Sequence, residues 1–161
     1  MAAKYLYMDF LLGYQEYFDE TDGCTEEEVM ELEGQLGVKF PRSYREICLI
    51  LGEQAAFSLI DESSFEFPEY EKMRKGVEKI ILNSAPDFTL DKSMFIVGCL
   101  MQNGIFYFLK LNEGDDPPIY RYQEGDKNYK MVAESCSSFI QQQAWYKGYL
   151  VLKEYKKSGK I

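Results

Sequence analysis

Histidine is absent from this 161-residue chain, and its absence excludes several kinds of active site. Without an imidazole there can be no serine-histidine-aspartate triad, no cysteine-histidine pair, no two-histidine ribonuclease site and no zinc site that uses a histidine ligand. Glycine-rich phosphate loops are also missing. Carboxylate chemistry is the class of catalysis that survives, but no spacing singles out a pair among the 27 acidic residues. We therefore predict a protein that is not an enzyme and holds no cofactor or metal.

Paired cysteines and long apolar runs are missing as well. The four cysteines form no C-x-x-C motif, and Cys48 and Cys99 lie in apolar patterns typical of reduced core residues. No run approaches the roughly 18 apolar residues that a membrane helix needs. The apolar segment Tyr5–Phe18 contains Asp9 and Gly13 and lacks a small-residue cleavage site, so we predict an aromatic-rich helix on the core, not a signal peptide. A cytoplasmic protein without a membrane partner is the expectation.

Basic residues are scarce in the N-terminal half. Residues 1–80 carry a net charge of −10 and residues 81–161 a net charge of +1, and ten acids but no base lie between Tyr5 and Val38. Two interpretations stay open: a solvated, capped helix, or an acidic face that attracts a basic partner. Direct binding of nucleic acid is disfavoured, because its phosphates would be repelled. A basic protein that itself binds nucleic acid would be attracted.

The most informative stretch of the sequence, from Thr25 to Gly52, predicts two short helices joined by a sharp corner. Thr25 and Glu28 form a capping box, in which each side chain bonds a backbone amide of the other residue. Apolar residues then recur at helical spacing up to Gly37, which suits the left-handed residue that ends a helix. Pro41 fits the first turn of the second helix, which Gly52 ends.

The remaining sequence predicts an α+β fold, with N-terminal helices and a C-terminal helix packed on one antiparallel sheet of about four to six strands. Asn103-Gly104 is a strong hairpin signal between strands at Met94–Met101 and Ile105–Leu111. The other expected elements are a strand at Ala56–Ile60, a helix from Pro68 to about Ser84, strands at Ile119–Tyr122 and Tyr129–Ala133, and a last helix capped by Ser135 that contains Phe139, Ile140, Trp145 and Leu150.

We predict a single domain over residues 1–161, with an N-terminal helical extension over 1–24 and a frayed basic tail over 153–161. The strand that begins at Ile105 is largely apolar on both faces. One face should pack on helices, and the other should be covered by the N-terminal segment or exposed to a partner. Because an exposed face would favour a homodimer, the sequence leaves monomer and dimer open.

The helical corner resembles the SUKH superfamily, Smi/Knr type, of immunity and regulatory domains. The shared pattern is a glutamate-rich helix, Leu-Gly, an apolar-Pro pair two residues on, and a helix with tyrosine that ends at glycine. The matching residues are Glu33, Leu36, Gly37, Phe40, Pro41, Tyr44, Leu51 and Gly52. The chain departs from the pattern at Phe40, where leucine is usual, and at Gly52-Glu53, where Asn-Gly-Gly is common. Pro118-Ile119-Tyr120 and the segment 133–140 resemble a late strand and the final helix of the family, so the resemblance covers roughly residues 20–145.

The resemblance implies a protein that binds another protein, with no shared catalytic residues. Bacterial members are widely associated with neutralising toxins, many of them nucleases, and this association favours the acidic-face interpretation. We therefore predict an immunity protein for a basic, nuclease-type toxin. A regulatory adaptor, like fungal members of the family, is the alternative, and a carboxylate enzyme is a remote third. The predicted acidic contacts, chosen on charge and expected exposure, are Glu26, Glu27, Glu31, Asp115 and Asp116. Structural roles are expected for the motif residues Leu36, Gly37, Phe40, Pro41, Tyr44 and Gly52.

Overall fold

The computed structural model describes the backbone of residues 4–13, 23–57 and 70–159, and the side chains of these residues except 53–57 and 145–155. Within these residues the chain is an α+β domain with four α-helices and one antiparallel sheet in the order β1-β2-β3-β4, as predicted. The elements are a 3₁₀ turn at Asp9–Gly13, α1 Glu26–Leu36, α2 Arg42–Phe57, α3 Tyr70–Ser84, β1 Met94–Leu100, β2 Ile105–Lys110, β3 Ile119–Gln123, β4 Lys130–Ala133 and α4 Cys136–Lys157. None of the described helices is long and apolar enough to cross a membrane.

The helical corner forms as its local signals predict. The Thr25 hydroxyl accepts a hydrogen bond from the Glu28 amide at 3.2 Å, and the Thr25 amide donates to the Glu28 carboxylate at 2.8 Å. Gly37 ends α1 in the left-handed conformation, with φ +65°. The Pro41 carbonyl accepts the first backbone bond of α2 at 3.0 Å, so this proline stands one residue before the helix and not in its first turn. Gly52 interrupts α2 with φ +86°.

One face of the sheet packs on the helical corner. The Phe95 ring, on β1, lies 5.3 Å from Phe40 and 5.1 Å from Tyr44 between ring centroids. Farther along the sheet, Tyr107 of β2 contacts Phe139 of α4 at 5.6 Å. Phe40, Tyr44 and Phe95 are all buried, which gives two of the motif residues a structural role in the helix–sheet core.

The opposite face of the sheet is covered by loop residues. Phe106 and Phe108 of β2 lie opposite tyrosines of β3, and both phenylalanines are fully buried. Tyr129 packs edge-on against Phe108 at 5.0 Å, and Phe88 packs against Tyr122 at 5.2 Å. This face is therefore buried and not exposed, and residues 4–13, the part of the N-terminal extension before α1 that lies on the described side of the gap, do not make these contacts. The N-terminal segment instead contacts α2 and α4.

Two predicted elements differ in part from the structure. The strand predicted at Ala56–Ile60 is wrong in its first two residues, Ala56 and Phe57, which end α2. Ala56 is a strong helix former and continues the helix-favouring residues Gln54 and Ala55. Residues 58–60 lie outside the described residues. The hairpin at Asn103-Gly104 is confirmed, but its loop has four residues, a 3₁₀ turn at Met101–Asn103 followed by left-handed Gly104.

Both ends of the chain also differ from the predictions. Within residues 4–13 the N-terminal segment contains a 3₁₀ turn and no α-helix, and residues 14–22 lie outside the description. The predicted helix start at Pro68 and the side chains of Trp145 and Leu150 lie outside it too. The last helix runs to Lys157, so residues 153–157 of the predicted tail are helical.

Candidate protein-binding surface

The outer face of α1, made by Glu27, Met30 and Glu31, is the exposed acidic surface of the corner. These residues are spaced i, i+3, i+4 and therefore lie side by side. Met30 is 63% exposed, and both glutamates are exposed. In the part of the chain that the structure describes, neither glutamate forms an ion pair with a basic residue. The structure thus keeps two of the predicted contact acids, Glu27 and Glu31, open to solvent.

Glu26, the third predicted contact on α1, is held by an arginine. Its carboxylate lies 2.5 Å from Nη2 of Arg45, and Nη1 of Arg45 contacts the buried carboxylate of Glu33. Glu26 therefore points toward α2, away from the outer face of α1. A partner would have to compete with Arg45 to use it.

The two aspartates predicted as contacts have different roles. The Asp116 carboxylate accepts hydrogen bonds from the Ser137 amide at 2.9 Å and from the Ser137 hydroxyl at 2.5 Å. It caps the start of α4, where negative charge also suits the helix dipole. The Asp115 backbone carbonyl accepts from the Ser43 amide at 2.9 Å, while its side chain is exposed. Of the two aspartates, Asp115 is the one whose side chain is open to a partner.

A groove of about 830 Å³ lies between the N-terminal segment, the helical corner and the loop that carries Asp115. It brings Glu26 and Asp115 to one surface, apart from the outer face of α1. Among the described residues that line it, four are basic and three are acidic: Lys4, Lys39, Arg42 and Arg45, with Glu26, Glu46 and Asp115. The groove is therefore mixed in charge, and the five predicted acids do not form one continuous acidic face.

Glu46 anchors the N-terminal segment to α2, and sequence reasoning missed this role. Its carboxylate is buried and accepts the backbone amides of Leu6 at 3.0 Å, Tyr7 at 2.8 Å and Met8 at 2.9 Å. Arg42, one turn earlier, donates from Nε at 3.3 Å. An acid beside the apolar face of a predicted helix was the available signal, but nothing in the sequence named its partners.

Glu33 performs a similar role inside the corner. It is 6% exposed, accepts the Phe40 amide at 3.0 Å and pairs with Arg45. The Lys39 ammonium lies 3.8 Å away. Glu33 thus fixes the turn between α1 and α2, which gives a physical reason for a glutamate at this position of the family pattern.

Two buried cysteines have raised pKa values. Burial raises the pKa of the Cys99 thiol and of the Cys136 thiol to about 12, so both are neutral thiols at physiological pH. All four cysteines are free thiols, in agreement with the prediction of reduced cysteines. Among the described residues, no group of three or more cysteine, aspartate or glutamate side chains could hold a metal ion.

The fold defines an α+β domain in which a two-helix corner, closed by Leu36-Gly37 and Phe40-Pro41, packs on a four-stranded antiparallel sheet. More specifically, the chain belongs to the SMI1 / KNR4 family (SUKH-1), whose family model matches residues 23–142. The match covers α1, α2, α3, the sheet and the first turns of α4, and it leaves out the N-terminal segment that Glu46 anchors. Domains of this family are generally protein-interacting. A search of curated proteins gave no match.

Proposed function

We propose that this domain is an immunity protein that binds and neutralises a basic, nuclease-type toxin inside the cell that makes it, without catalysing a reaction. The observation that carries the proposal is the outer face of α1, where Glu27 and Glu31 are exposed and have no basic neighbour among the described residues. Met30 lies between them with 63% of its surface exposed. A partner with cationic side chains around an apolar contact complements this face.

Electrostatics support a basic partner. The chain carries a net charge of −9, and its acids are concentrated in the N-terminal half. Opposite charge on a partner speeds encounter by about 10- to 1,000-fold at low ionic strength. A nuclease toxin has a basic surface because it must bind phosphates. Carboxylates in the place of phosphates would block that surface.

Two of the three carboxylates that line the groove are already engaged, which supports a binding role over a catalytic one. Glu26 and Glu46 both lie against arginines, at 2.5 and 3.3 Å, and Glu46 is further occupied by three backbone amides. A carboxylate pair that works as acid and base needs one member free to exchange a proton with substrate. These two side chains instead stabilise the corner and the N-terminal segment.

The test is capture of partners by the tagged protein from lysate of its own host, at low and at high salt, with identification by mass spectrometry. The variant Glu27→Lys/Glu31→Lys reverses the outer face of α1. Its matched control, Glu71→Lys/Asp87→Lys, makes the same change in net charge at two exposed acids elsewhere. The proposal expects one basic toxic protein that the control retains, that the test variant loses, and whose purified activity the wild-type domain inhibits.

Other outcomes would overturn the proposal. Several housekeeping proteins, held equally well in high salt and by both variants, would favour the regulatory adaptor. Turnover of a substrate, abolished by neutralising Asp115 or Glu26, would establish the carboxylate enzyme. A toxin that binds both variants equally would reject the outer face of α1 as its binding site.

A further inference from the structure

Most of the acids in the groove beside the helical corner are already engaged. Glu46 is buried, and its carboxylate accepts three backbone amides and Nε of Arg42. Glu26 is paired with Arg45 at 2.5 Å. Of the three acids that line the groove, Asp115 is the one with no ion pair to a described residue. Two of the three carboxylates are therefore neutralised within the protein.

Three bases of the groove, by contrast, are open to solvent. Lys39 has 85% of its side chain exposed, and its ammonium lies 3.8 Å from Glu33. Arg42 has 55% exposed and contacts Glu46 through Nε, and among the described residues its two Nη groups have no hydrogen-bond partner. Lys4 is exposed as well. A small ligand that enters the groove would therefore meet more available positive than negative charge, although the whole chain carries a net charge of −9.

Buried contacts hold the walls of this groove in place. The Leu6 amide and Nε of Arg42 bind the same oxygen of Glu46, at 3.0 and 3.3 Å, which fixes the N-terminal segment beside α2. Glu33 is bonded to the backbone of the turn that carries Lys39, and fixes that turn in the same way. The surface is thus formed before any ligand arrives, which reduces the entropy lost on binding.

We propose that this groove binds a phosphate monoester of a small organic molecule, with Arg42 as the contact to the phosphate and Lys4 and Lys39 adding positive charge beside it. A guanidinium offers paired N–H donors that match the oxygens of a phosphate, and an ammonium binds it as a point charge. The volume of about 830 Å³ lies within the range of small-molecule sites. Tyr5 and Leu49, which also line the groove, would contact the organic part.

A small ester suits this groove better than a nucleic acid does. A nucleic acid long enough to leave the groove would meet the acidic surface of the chain, including the outer face of α1, and its phosphates would be repelled. A ligand confined to the groove meets mainly the charges that line it, because exposed charges more than about 10 Å away are largely screened at about 0.1 M ionic strength. The proposal is independent of the proposed function, since the outer face of α1 takes no part in it.

Isothermal titration calorimetry of the full chain in a phosphate-free buffer tests the proposal, with phenyl phosphate as the probe and inorganic phosphate and phenol as its two halves. Phenyl phosphate should bind more tightly than either half. Arg42→Lys, which keeps the charge but loses the paired donors, and Lys39→Gln should each weaken its binding about tenfold. Asp115→Asn removes the unpaired acid and should tighten it. Lys79→Gln, at an exposed base on α3, is the matched control and should bind as the wild-type chain does.

Backbone amide chemical shifts locate the bound probe. Phenyl phosphate should move the signals of Tyr5, Phe40 and Leu49, which line the groove, and leave those of β4 unchanged. A wild-type chain without saturable binding would overturn the proposal, and so would shifts confined to other surfaces. Equal binding by Arg42→Lys, Lys39→Gln and the control, each folded by circular dichroism, would overturn it too. Equal affinity for inorganic phosphate would overturn the ester and identify a free phosphate as the ligand.

Discussion

The inside and the outside of the helical corner use the same side chain for different purposes. Inside, Glu33 and Glu46 are buried, and each pairs with an arginine. Glu33 also accepts one backbone amide, and Glu46 accepts three. Outside, Glu27 and Glu31 are exposed with no basic partner among the described residues. A buried carboxylate must be fully paired, whereas an exposed one is stabilised by water and stays free to meet a partner. The acidity of this chain is thus partly structural and partly available for binding.

The largest effect should come from breaking the buried ion pair. Arg45→Met leaves buried Glu33 with only the Phe40 amide and the exposed Lys39 ammonium at 3.8 Å, and the free energy of unfolding should fall by about 3 kcal/mol. Lys79→Met, at an exposed base, should change it by less than about 0.5 kcal/mol. Urea denaturation measures both. The double variant Glu33→Gln/Arg45→Met should recover part of the loss, and an additive loss would show that the two side chains are not coupled.

Glu46→Gln should have the next largest effect, a loss of about 2 kcal/mol. The single oxygen of the glutamine can keep at most the Tyr7 and Met8 bonds, as weaker neutral ones, while its NH2 group cannot accept from the Leu6 amide or from Arg42. Hydrogen exchange offers a second measurement at the same place. The amides of Leu6, Tyr7 and Met8 should exchange much faster in the variant, while those of the sheet should not. Unchanged exchange at these three amides would reject Glu46 as the anchor of the N-terminal segment.

Local rules predicted the corner, the hairpin and the strands, because a capping box, a left-handed glycine and apolar alternation are written in adjacent residues. The burial of Glu33 and Glu46 could not be predicted this way. Their partners Phe40, Arg45 and the segment from Leu6 to Met8 are brought to them only by tertiary packing. Asp115 and Asp116 show the same limit, since two identical neighbours point one to solvent and one to the start of α4.

The buried thiol of Cys99 makes the stability of the domain depend on pH in the alkaline range. Burial raises the folded-state pKa of Cys99 to about 12 from an ordinary 9.0, so only the unfolded chain releases this proton between those values. Its contribution to stability is complete below pH 9 and is lost as pH rises toward about 12, by about 1.4 kcal/mol per pH unit. Cys99→Ala should reduce the slope of stability against pH in this window relative to the wild-type chain. Equal slopes would contradict the raised pKa.

The adjacent aspartates make a matched pair for a smaller effect. Asp116→Ala removes the cap on the Ser137 amide of α4 and should cost about 1 kcal/mol of unfolding free energy. Asp115→Ala keeps the backbone carbonyl that accepts from Ser43, so stability should change by a few tenths of a kcal/mol at most. Thermal denaturation of both variants checks the difference. Equal losses would mean that the Asp116 carboxylate does not cap the helix.

The smallest effect, and the one of opposite sign, belongs to the outer face of α1. Glu27 and Glu31 are four residues apart, and like charges at this spacing destabilise a helix by about 0.2–0.5 kcal/mol. Glu31 also lies beyond the first turn of α1. The helix dipole favours an acid only within that turn, so Glu31 gains little from it. Glu31→Gln should therefore stabilise the domain by about 0.3 kcal/mol at low salt, and the gain should shrink at high salt as screening increases. A loss of about 1 kcal/mol, the typical net contribution of one hydrogen bond, would show that Glu31 stabilises the fold. A gain would mean that this acid weakens folding, so its role must be sought in what the surface binds.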